Sequence, residues 1–181
     1  WENLTFSEKE QALYKYTKDS LQTLLDNGVK VTMVQVGNET TSGLAGETDW
    51  SKITALMSQG SKAVREVALE YDREILVAMH FTGYEHYDWY ASQLLAYDID
   101  YDVFASSYYP YWHGSLDGLQ KSLQNIIDKY DKKVLIVEFA YPYNFTNQDD
   151  MPNAISFESS LDFPYTVSKS GQAECIEDIY K

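Results

Sequence analysis

The chain has 181 residues, of which 28 are Asp or Glu and 14 are Lys or Arg, so that its formal net charge is −14. Because clustered Lys and Arg bind phosphate groups, this charge argues against nucleic acid and anionic membrane surfaces as partners. The hydrophobic fraction of 44% argues against disorder, and the single cysteine, Cys175, excludes an internal disulfide and a multi-cysteine metal site.

Helical and strand patterns alternate along the chain. Apolar residues recur every three or four positions in segments that we predict to be helices, at 7–27, 49–71, 87–96, 115–130 and 171–180. Ser7 and Glu10 form the predicted capping box of the first helix. Four apolar runs are predicted strands, at 29–36, 75–79, 101–106 and 133–137. The first run is apolar enough on both faces to be a central strand, and a long polar loop precedes the last helix.

This alternation favours parallel βα units, which build either an open doubly wound sheet or a (β/α)8 barrel. No strand runs into a GxGxxG or GxxxxGK motif, as nucleotide-binding open sheets require. Polar residues instead follow the strands at their C-terminal ends, where barrels build their active sites: Glu39, His80, Tyr108 and Glu138. Because a barrel needs eight strands and four are visible, we predict an α/β fold that is a partial TIM barrel, forming one domain over residues 1–181.

Two glutamates stand out in this pattern. Glu138 lies in an apolar strand and Glu39 ends the first strand. A buried ionised carboxylate is costly unless it is paired or hydrogen-bonded, so Glu138 is either half of a structural ion pair or a functional group. Glu39 alone also fits a cap or loop carboxylate. Two glutamates at the same edge of one sheet suit a general acid and a nucleophile.

The aromatic content is high, with 16 Tyr, 7 Phe and 4 Trp, and the densest stretch is 106–113, after the third strand. A tyrosine hydroxyl here could donate to a nucleophilic carboxylate. Trp112 could stack on a sugar, Asn38 could hold a sugar hydroxyl, and His80 and His113 could donate hydrogen bonds to a substrate. Core packing, or a turn in the case of Asn38, is the alternative. A zinc site built on His80 has poor ligand spacing, so we predict no metal.

Four motifs carry a resemblance to a known family. They are VQVGNE at 34–39, HF at 80–81, SYYPYWHG at 107–114 and VEFAYPY at 137–143. Together, in this order, they resemble the arabinogalactan endo-β-1,4-galactanases of glycoside hydrolase family 53. The late GQA at 171–173 is also similar to that family. The resemblance covers nearly the whole chain, although the stretch after Gly43 is shorter than expected and lacks the aromatic residue that the family has soon after this glycine.

The resemblance implies a (β/α)8 barrel that cuts β-1,4-galactan, a pectin side chain, internally and with retention. The chain would cover about helix 3 to helix 7 of that barrel, with strands 4 to 7 present and strands 1 to 3 and 8 absent. Glu39 would be the acid/base, Glu138 the nucleophile and Asn38 a contact to the sugar 2-hydroxyl, whereas His80, Tyr108 and Trp112 would line the cleft.

The family further implies a secreted, monomeric enzyme without a cofactor. Because the chain begins at Trp1, we expect an internal piece of a longer protein, able to associate through open barrel edges. Two other functions stay open. One is a related barrel that acts on another β-glycan, and the other is an inactive half-barrel that binds glycan weakly.

Overall fold

A computed structural model describes residues 1–147, 149–152, 155 and 161–181. Its strands are β1 (Met33–Gln35), β2 (Leu76–Phe81), β3 (Val103–Tyr108) and β4 (Lys133–Phe139). Its helices are α1 (Phe6–Asp26), α2 (Trp50–Glu70), α3 (Tyr87–Ala96), the one-turn α4 (Pro110–His113), α5 (Leu116–Tyr130) and α6 (Lys169–Ile179), and a 3-10 turn (Tyr84–His86) precedes α3. The polar loop predicted before the last helix includes residues 148, 153, 154 and 156–160, which lie outside the described residues.

The four strands form one parallel sheet in the order β1-β2-β3-β4, and each strand pairs with the next along the chain. Three strand spacings in a flat sheet would separate the two outer strands by about 14 Å. One carboxylate oxygen of Glu39, which follows β1, and one of Glu138, at the end of β4, nevertheless lie within 4.8 Å of each other. The sheet is therefore curved as half of a barrel, which confirms the predicted fold.

Two local predictions are wrong. The capping box of α1 is formed by Thr5 and Glu8, because the chain enters the helix two residues earlier than predicted and Ser7 is already inside it. The first strand is much shorter than the predicted 29–36, and among the described strands it lies at the edge of the sheet, with β2 as its neighbour. The predicted cap of α5, Ser115, is confirmed by its side chain, which accepts from the Gly118 N–H.

The two faces of the sheet have different packing partners. The outer face packs against the helices in a large apolar core, which includes Val64 of α2, Met79 and Phe104. The inner face carries a smaller cluster contributed only by strands: Met33, Leu76, Ala78, Val103, Ala105 and Val137. A packed inner layer of side chains is typical of this barrel architecture. No helix in the described part of the chain is long and apolar enough to span a membrane.

An ion-pair network holds the opposite, N-terminal ends of β2 and β3. Arg65 of α2 donates two hydrogen bonds to Asp100 and one to Asp102, at 2.7 to 2.9 Å. Asp102 also accepts from the Val77 N–H at 2.7 Å. The hydrogen bond from Arg65 lowers the pKa of Asp100. Polar groups at this end of a barrel serve stability, which leaves the C-terminal end for chemistry.

We predict that Gly60→Ala destabilises the chain. Gly60 of α2 faces Val36, and a Cβ atom there would overlap the Val36 methyl groups. Overpacking of this kind lowers the free energy of unfolding by about 1–3 kcal/mol, although alanine recovers up to about 1 kcal/mol in helix propensity. Urea denaturation measures the difference. The matched control is Ser58→Ala at an exposed position of the same helix, and equal stability of the two variants would contradict this packing.

Candidate active site

Glu39 lies in a tight turn just after β1. Gly37 has a φ of 83° and Glu39 a φ of 42°, both in the left-handed region, which is strained for a glutamate. The turn is held to β2 by Thr40, whose N–H and hydroxyl both donate to the His80 carbonyl at 2.9 Å. The Glu39 N–H donates to His80 Nδ1 at 3.2 Å. These bonds fix the backbone from which the Glu39 carboxylate projects.

The imidazole of His80 is buried and has a defined tautomer. Because Nδ1 accepts the Glu39 N–H, the ring proton is on Nε2, which donates to the Ser107 hydroxyl at 2.8 Å. Burial lowers the pKa of His80, although the charges of Glu138 and Glu39 act in the opposite direction. His80 is therefore neutral at pH 7 and links the ends of β1, β2 and β3.

Glu138 faces the inside of the barrel because of a β-bulge in β4. Ser106 pairs with Ile136 but Ser107 pairs with Glu138, so that Val137 is an extra residue in the ladder. Ile136 packs in the outer core and Val137 in the inner cluster. Strict alternation would next turn Glu138 outward. The bulge instead gives two successive inward residues, an effect that bulges often have beside active sites.

The tyrosine that contacts Glu138 is Tyr109. Its hydroxyl donates to Glu138 Oε2 at 2.7 Å, and Glu138 Oε1 lies 3.9 Å from His80 Nδ1. Burial raises the pKa of Tyr109, and the bond to Glu138 raises it further, so the phenol keeps its proton and remains a donor. The Glu138 side chain is 34% exposed, which leaves it accessible from the cleft.

The other predicted contacts fall into two groups. Trp112 is 49% exposed and packs edge-on against Tyr109, with ring centroids 5.5 Å apart. Asn38 is exposed, and its side-chain oxygen accepts from Gln35 at 3.4 Å. Both are open to solvent, and Asn38 precedes Glu39 in the turn whereas Trp112 contacts the tyrosine that is hydrogen-bonded to Glu138. Tyr108 is not open to solvent, because it is buried in the outer core, where its hydroxyl donates to the Gly114 carbonyl at 2.9 Å.

Glu39, His80 and Glu138 are the one group of three potential metal ligands found among the described residues, with their ligand atoms within 4.8 Å of one another. Both ring nitrogens of His80 are already used, one as an acceptor and one as a donor. A metal ion would have to displace the Glu39 N–H from Nδ1. The arrangement therefore suits a pair of catalytic carboxyl groups, one that transfers a proton and one that attacks a carbon atom, better than it suits a metal site.

Comparison with known proteins gives the family of this arrangement. The sequence profile described as Glycosyl hydrolase family 53 matches residues 1–181. The chain belongs to glycosyl hydrolase family 53. It is 46% identical to the endo-beta-1,4-galactanase of Bacillus subtilis over 99% of its own length, and 33% identical to the arabinogalactan endo-beta-1,4-galactanase of Cellvibrio japonicus over 95%. Its fold matches the family 53 catalytic domain of Ignisphaera aggregans with a TM-score of 0.86, at 29% identity over 99% of this chain.

The chain spans about half the length of these relatives or less. It covers 41% of the Bacillus protein, 48% of the Cellvibrio protein and 51% of the Ignisphaera domain. These shares agree with four strands of an eight-stranded barrel. The predicted resemblance to family 53 and the predicted partial barrel are both confirmed.

Some residues of this family 53 site are absent from the sequence prediction. Tyr109 takes the position beside Glu138, and Ser107 and Thr82 are the hydroxyl partners of His80 and His113. Strand alternation was the available signal. Counted from the inward Val103, odd-numbered residues of β3 face the barrel interior, which selects Ser107 and then Tyr109 and excludes Tyr108. Thr82 has no comparable signal because it lies beyond the strand.

The lowered pKa of His80 predicts a pH dependence of stability. The unfolded chain takes up a proton near the ordinary value of 6.5, whereas the folded chain resists protonation of His80 to lower pH. Below about pH 6.5 the unfolded state therefore binds more protons than the folded state. The free energy of unfolding is highest above about pH 6.5 and falls as the pH drops below that value. The slope has an upper limit of about 1.4 kcal/mol per pH unit for each such histidine.

Urea denaturation of the wild type and His80→Asn between pH 4.5 and 8 measures this effect. The asparagine keeps an acceptor near the Nδ1 position but does not titrate, so its curve should be flatter below pH 6.5. Parallel curves for the two proteins would show that His80 is not the group responsible.

Proposed function

We propose that this chain carries the acid/base and the nucleophile of an endo-acting β-1,4-galactanase that works with retention. The observation that carries the proposal is the pair of carboxylates at the C-terminal ends of the outer strands, with one oxygen of each within 4.8 Å of the other. Retaining glycosidases hold their carboxyl groups about 5–5.5 Å apart, whereas inverting enzymes leave about 6.5–9.5 Å for a water molecule. The short separation supports direct attack by one carboxylate.

The surroundings of each glutamate support its role. Tyr109 donates a hydrogen bond to Glu138 at 2.7 Å, which fixes the orientation of that carboxylate for attack on a carbon atom. Glu39 carries the second carboxyl group, and its backbone is fixed by His80 and Thr40. We therefore assign Glu138 as the nucleophile and Glu39 as the acid/base.

The reaction follows in two steps. Glu39 donates its proton to the glycosidic oxygen while Glu138 attacks the anomeric carbon, so that the carbon–oxygen bond breaks and a glycosyl ester forms on Glu138. Glu39, now ionised, takes a proton from a water molecule, whose oxygen attacks the same carbon and releases Glu138 as a carboxylate. Two inversions at that carbon give net retention.

The names of the relatives support galactan as the substrate, and two exposed side chains suit a sugar. Trp112, which packs against Tyr109, offers an indole ring for stacking, and Asn38, which precedes Glu39 in the sequence, offers an amide for a sugar hydroxyl. We propose the galactan side chains of pectin as the source and a location outside the cell. Because the relatives are about twice as long, we infer that further sugar contacts come from the other half of the barrel.

The open side of the sheet supports a second, narrower role as a half that needs a partner. Apolar side chains of β4, α5 and α6 line a surface cavity of about 390 Å³ there: Leu123, Val134, Leu135, Ile136, Phe139, Ile176 and Ile179. Leu135, which is 43% exposed, lies on the strand itself. Exposed apolar surface next to an unpaired strand edge favours association. Under this reading the chain binds galactan weakly and turns it over only when the barrel is completed.

We predict that Glu138→Gln and Glu39→Gln each lower the release of galacto-oligosaccharides from linear β-1,4-galactan by at least about a thousandfold, because each removes a reacting group. Chromatography of the products measures this, with Glu85→Gln at an exposed position of the 3-10 turn as the matched control. With an aryl β-galactoside and azide, Glu39→Ala should give the β-galactosyl azide, because azide replaces water in the second step. Glu138→Ala should give the α-galactosyl azide, because azide takes the place of the missing nucleophile. Activity retained by Glu138→Gln, or no release by the unaltered chain, would contradict the proposal for this chain.

A second prediction separates the two neighbouring tyrosines. Tyr109→Phe removes the hydrogen bond to Glu138 and should lower kcat by about 10- to 100-fold with little change in KM. Tyr108→Phe removes only the bond to the Gly114 carbonyl and should change stability by about 1 kcal/mol, with kcat close to that of the wild type. Steady-state kinetics on galactan and thermal unfolding decide between them, and equal losses of kcat would refute the assignment of Tyr109.

A further inference from the structure

His113 ends the one-turn helix α4, and both of its ring nitrogens are bonded within the protein. Nδ1 accepts the Tyr109 N–H at 3.0 Å, so the ring proton is on Nε2, which donates to Thr82 Oγ1 at 3.0 Å. Burial lowers the pKa of His113, which keeps the ring neutral. No ring nitrogen is left for a substrate, and the sequence-based expectation that His113 donates to one is not supported by this geometry.

The partners of His113 lead to both carboxylates. On one side, Tyr109 carries the hydroxyl that donates to Glu138 at 2.7 Å. On the other side, the Thr82 N–H donates to Thr41 Oγ1 at 3.0 Å, and Thr41 Oγ1 donates back to the Thr82 carbonyl at 3.3 Å. Thr41 follows Glu39 by two residues. Hydrogen bonds, connected through Thr82 and Tyr109 themselves, therefore join the turn of Glu39 to the tyrosine that contacts Glu138.

His80 makes a parallel link inside the barrel, where its ring joins the Glu39 N–H to Ser107. The two histidines have the same form: Nδ1 accepts a backbone N–H that follows a strand, and Nε2 donates to a hydroxyl on a neighbouring segment. His80 fixes the backbone of Glu39, whereas His113 fixes the backbone of Tyr109. Each carboxylate thus depends on one neutral histidine, directly or through a tyrosine.

We propose that His113 is a positioning residue which, through Thr82 and Thr41, sets the placement of Tyr109 on Glu138 and hence the spacing of the two carboxylates. This inference rests on the proposed function of the site. It assigns to His113 an effect on the chemical step and none on substrate binding. An imidazole that instead contacted galactan would affect KM and would act independently of Tyr109.

Conservative variants separate these roles. His113→Asn keeps an acceptor near Nδ1 but loses the bond to Thr82, and Thr82→Val loses the same bond from the other side. Both should lower kcat by about 3- to 10-fold and leave KM unchanged. His113→Ala loses both bonds and should lower kcat by about 10- to 100-fold. The double variant His113→Ala/Tyr109→Phe should be no slower than Tyr109→Phe, because the two residues act through one contact.

A readout without substrate accompanies the kinetics. The ¹³C signal of the Glu138 carboxyl group, assigned with Glu138→Gln, should move in His113→Ala toward its position in Tyr109→Phe and should move less in His113→Asn. Long-range ¹H–¹⁵N spectra should show the Nε2-protonated tautomer of His113. Thermal unfolding of each variant identifies losses that come only from instability.

Three results would overturn the proposal. They are a Glu138 signal unchanged in His113→Ala, kcat losses that multiply in the double variant, and a rise in KM shared by His113→Ala and His113→Asn. If the unaltered chain turns over no galactan, the proposed function fails for this chain, and the carboxyl signal still decides whether His113 positions Glu138.

Discussion

The site depends on the hydrogen bond from the Glu39 N–H to the unprotonated Nδ1 of His80. It holds Glu39 at a positive φ, and it requires a neutral imidazole between two acidic side chains. Carboxylates this close would ordinarily favour a charged histidine, but burial has the larger effect. The barrel interior therefore does more than exclude water. It keeps His80 neutral, so that the imidazole accepts the Glu39 N–H and holds the backbone there without adding a third charge to the site.

The curved sheet encloses a small cluster of apolar side chains on its inner face. The inner cluster consists mainly of small and β-branched side chains, with Ala78 and Ala105 on the two central strands. The larger side chains Met79 and Phe104 belong to the outer face and pack under the helices. Curvature brings the ends of β1 and β4 together, so two residues 99 positions apart share one site.

Sequence reasoning found the order of elements, the parallel sheet and the edge of the sheet that bears the polar residues, because hydrophobic period and element order carry that information. It misplaced what depends on a shift of one or two residues. Thr5 and Ser7 are each followed by a glutamate three residues later, and only the point at which the backbone enters the helix shows that Thr5 is the cap. Tyr108 and Tyr109 carry the same hydroxyl group, and only the alternation of strand faces shows that Tyr109 contacts Glu138. The partner of His113 could not be predicted, because Thr82 lies beyond the end of β2 and contacts His113 through the course of a loop, which hydrophobic periodicity does not describe.

The bulge at Val137 divides β4 into two parts that follow different phases. On the N-terminal side of the bulge, the side chains of β4 alternate between the two faces in step with those of β3. On its C-terminal side, each residue of β4 pairs with the β3 residue one position earlier than a regular register would give. If the same residues ran through β4 without the bulge, Val134 and Ile136 would keep their packing, but Val137 would pair with Ser107 and Glu138 with Tyr108, so that Glu138 would turn toward the helices. The inward orientation of Glu138 is therefore encoded by the pairing register of β4 as much as by the identity of the residue.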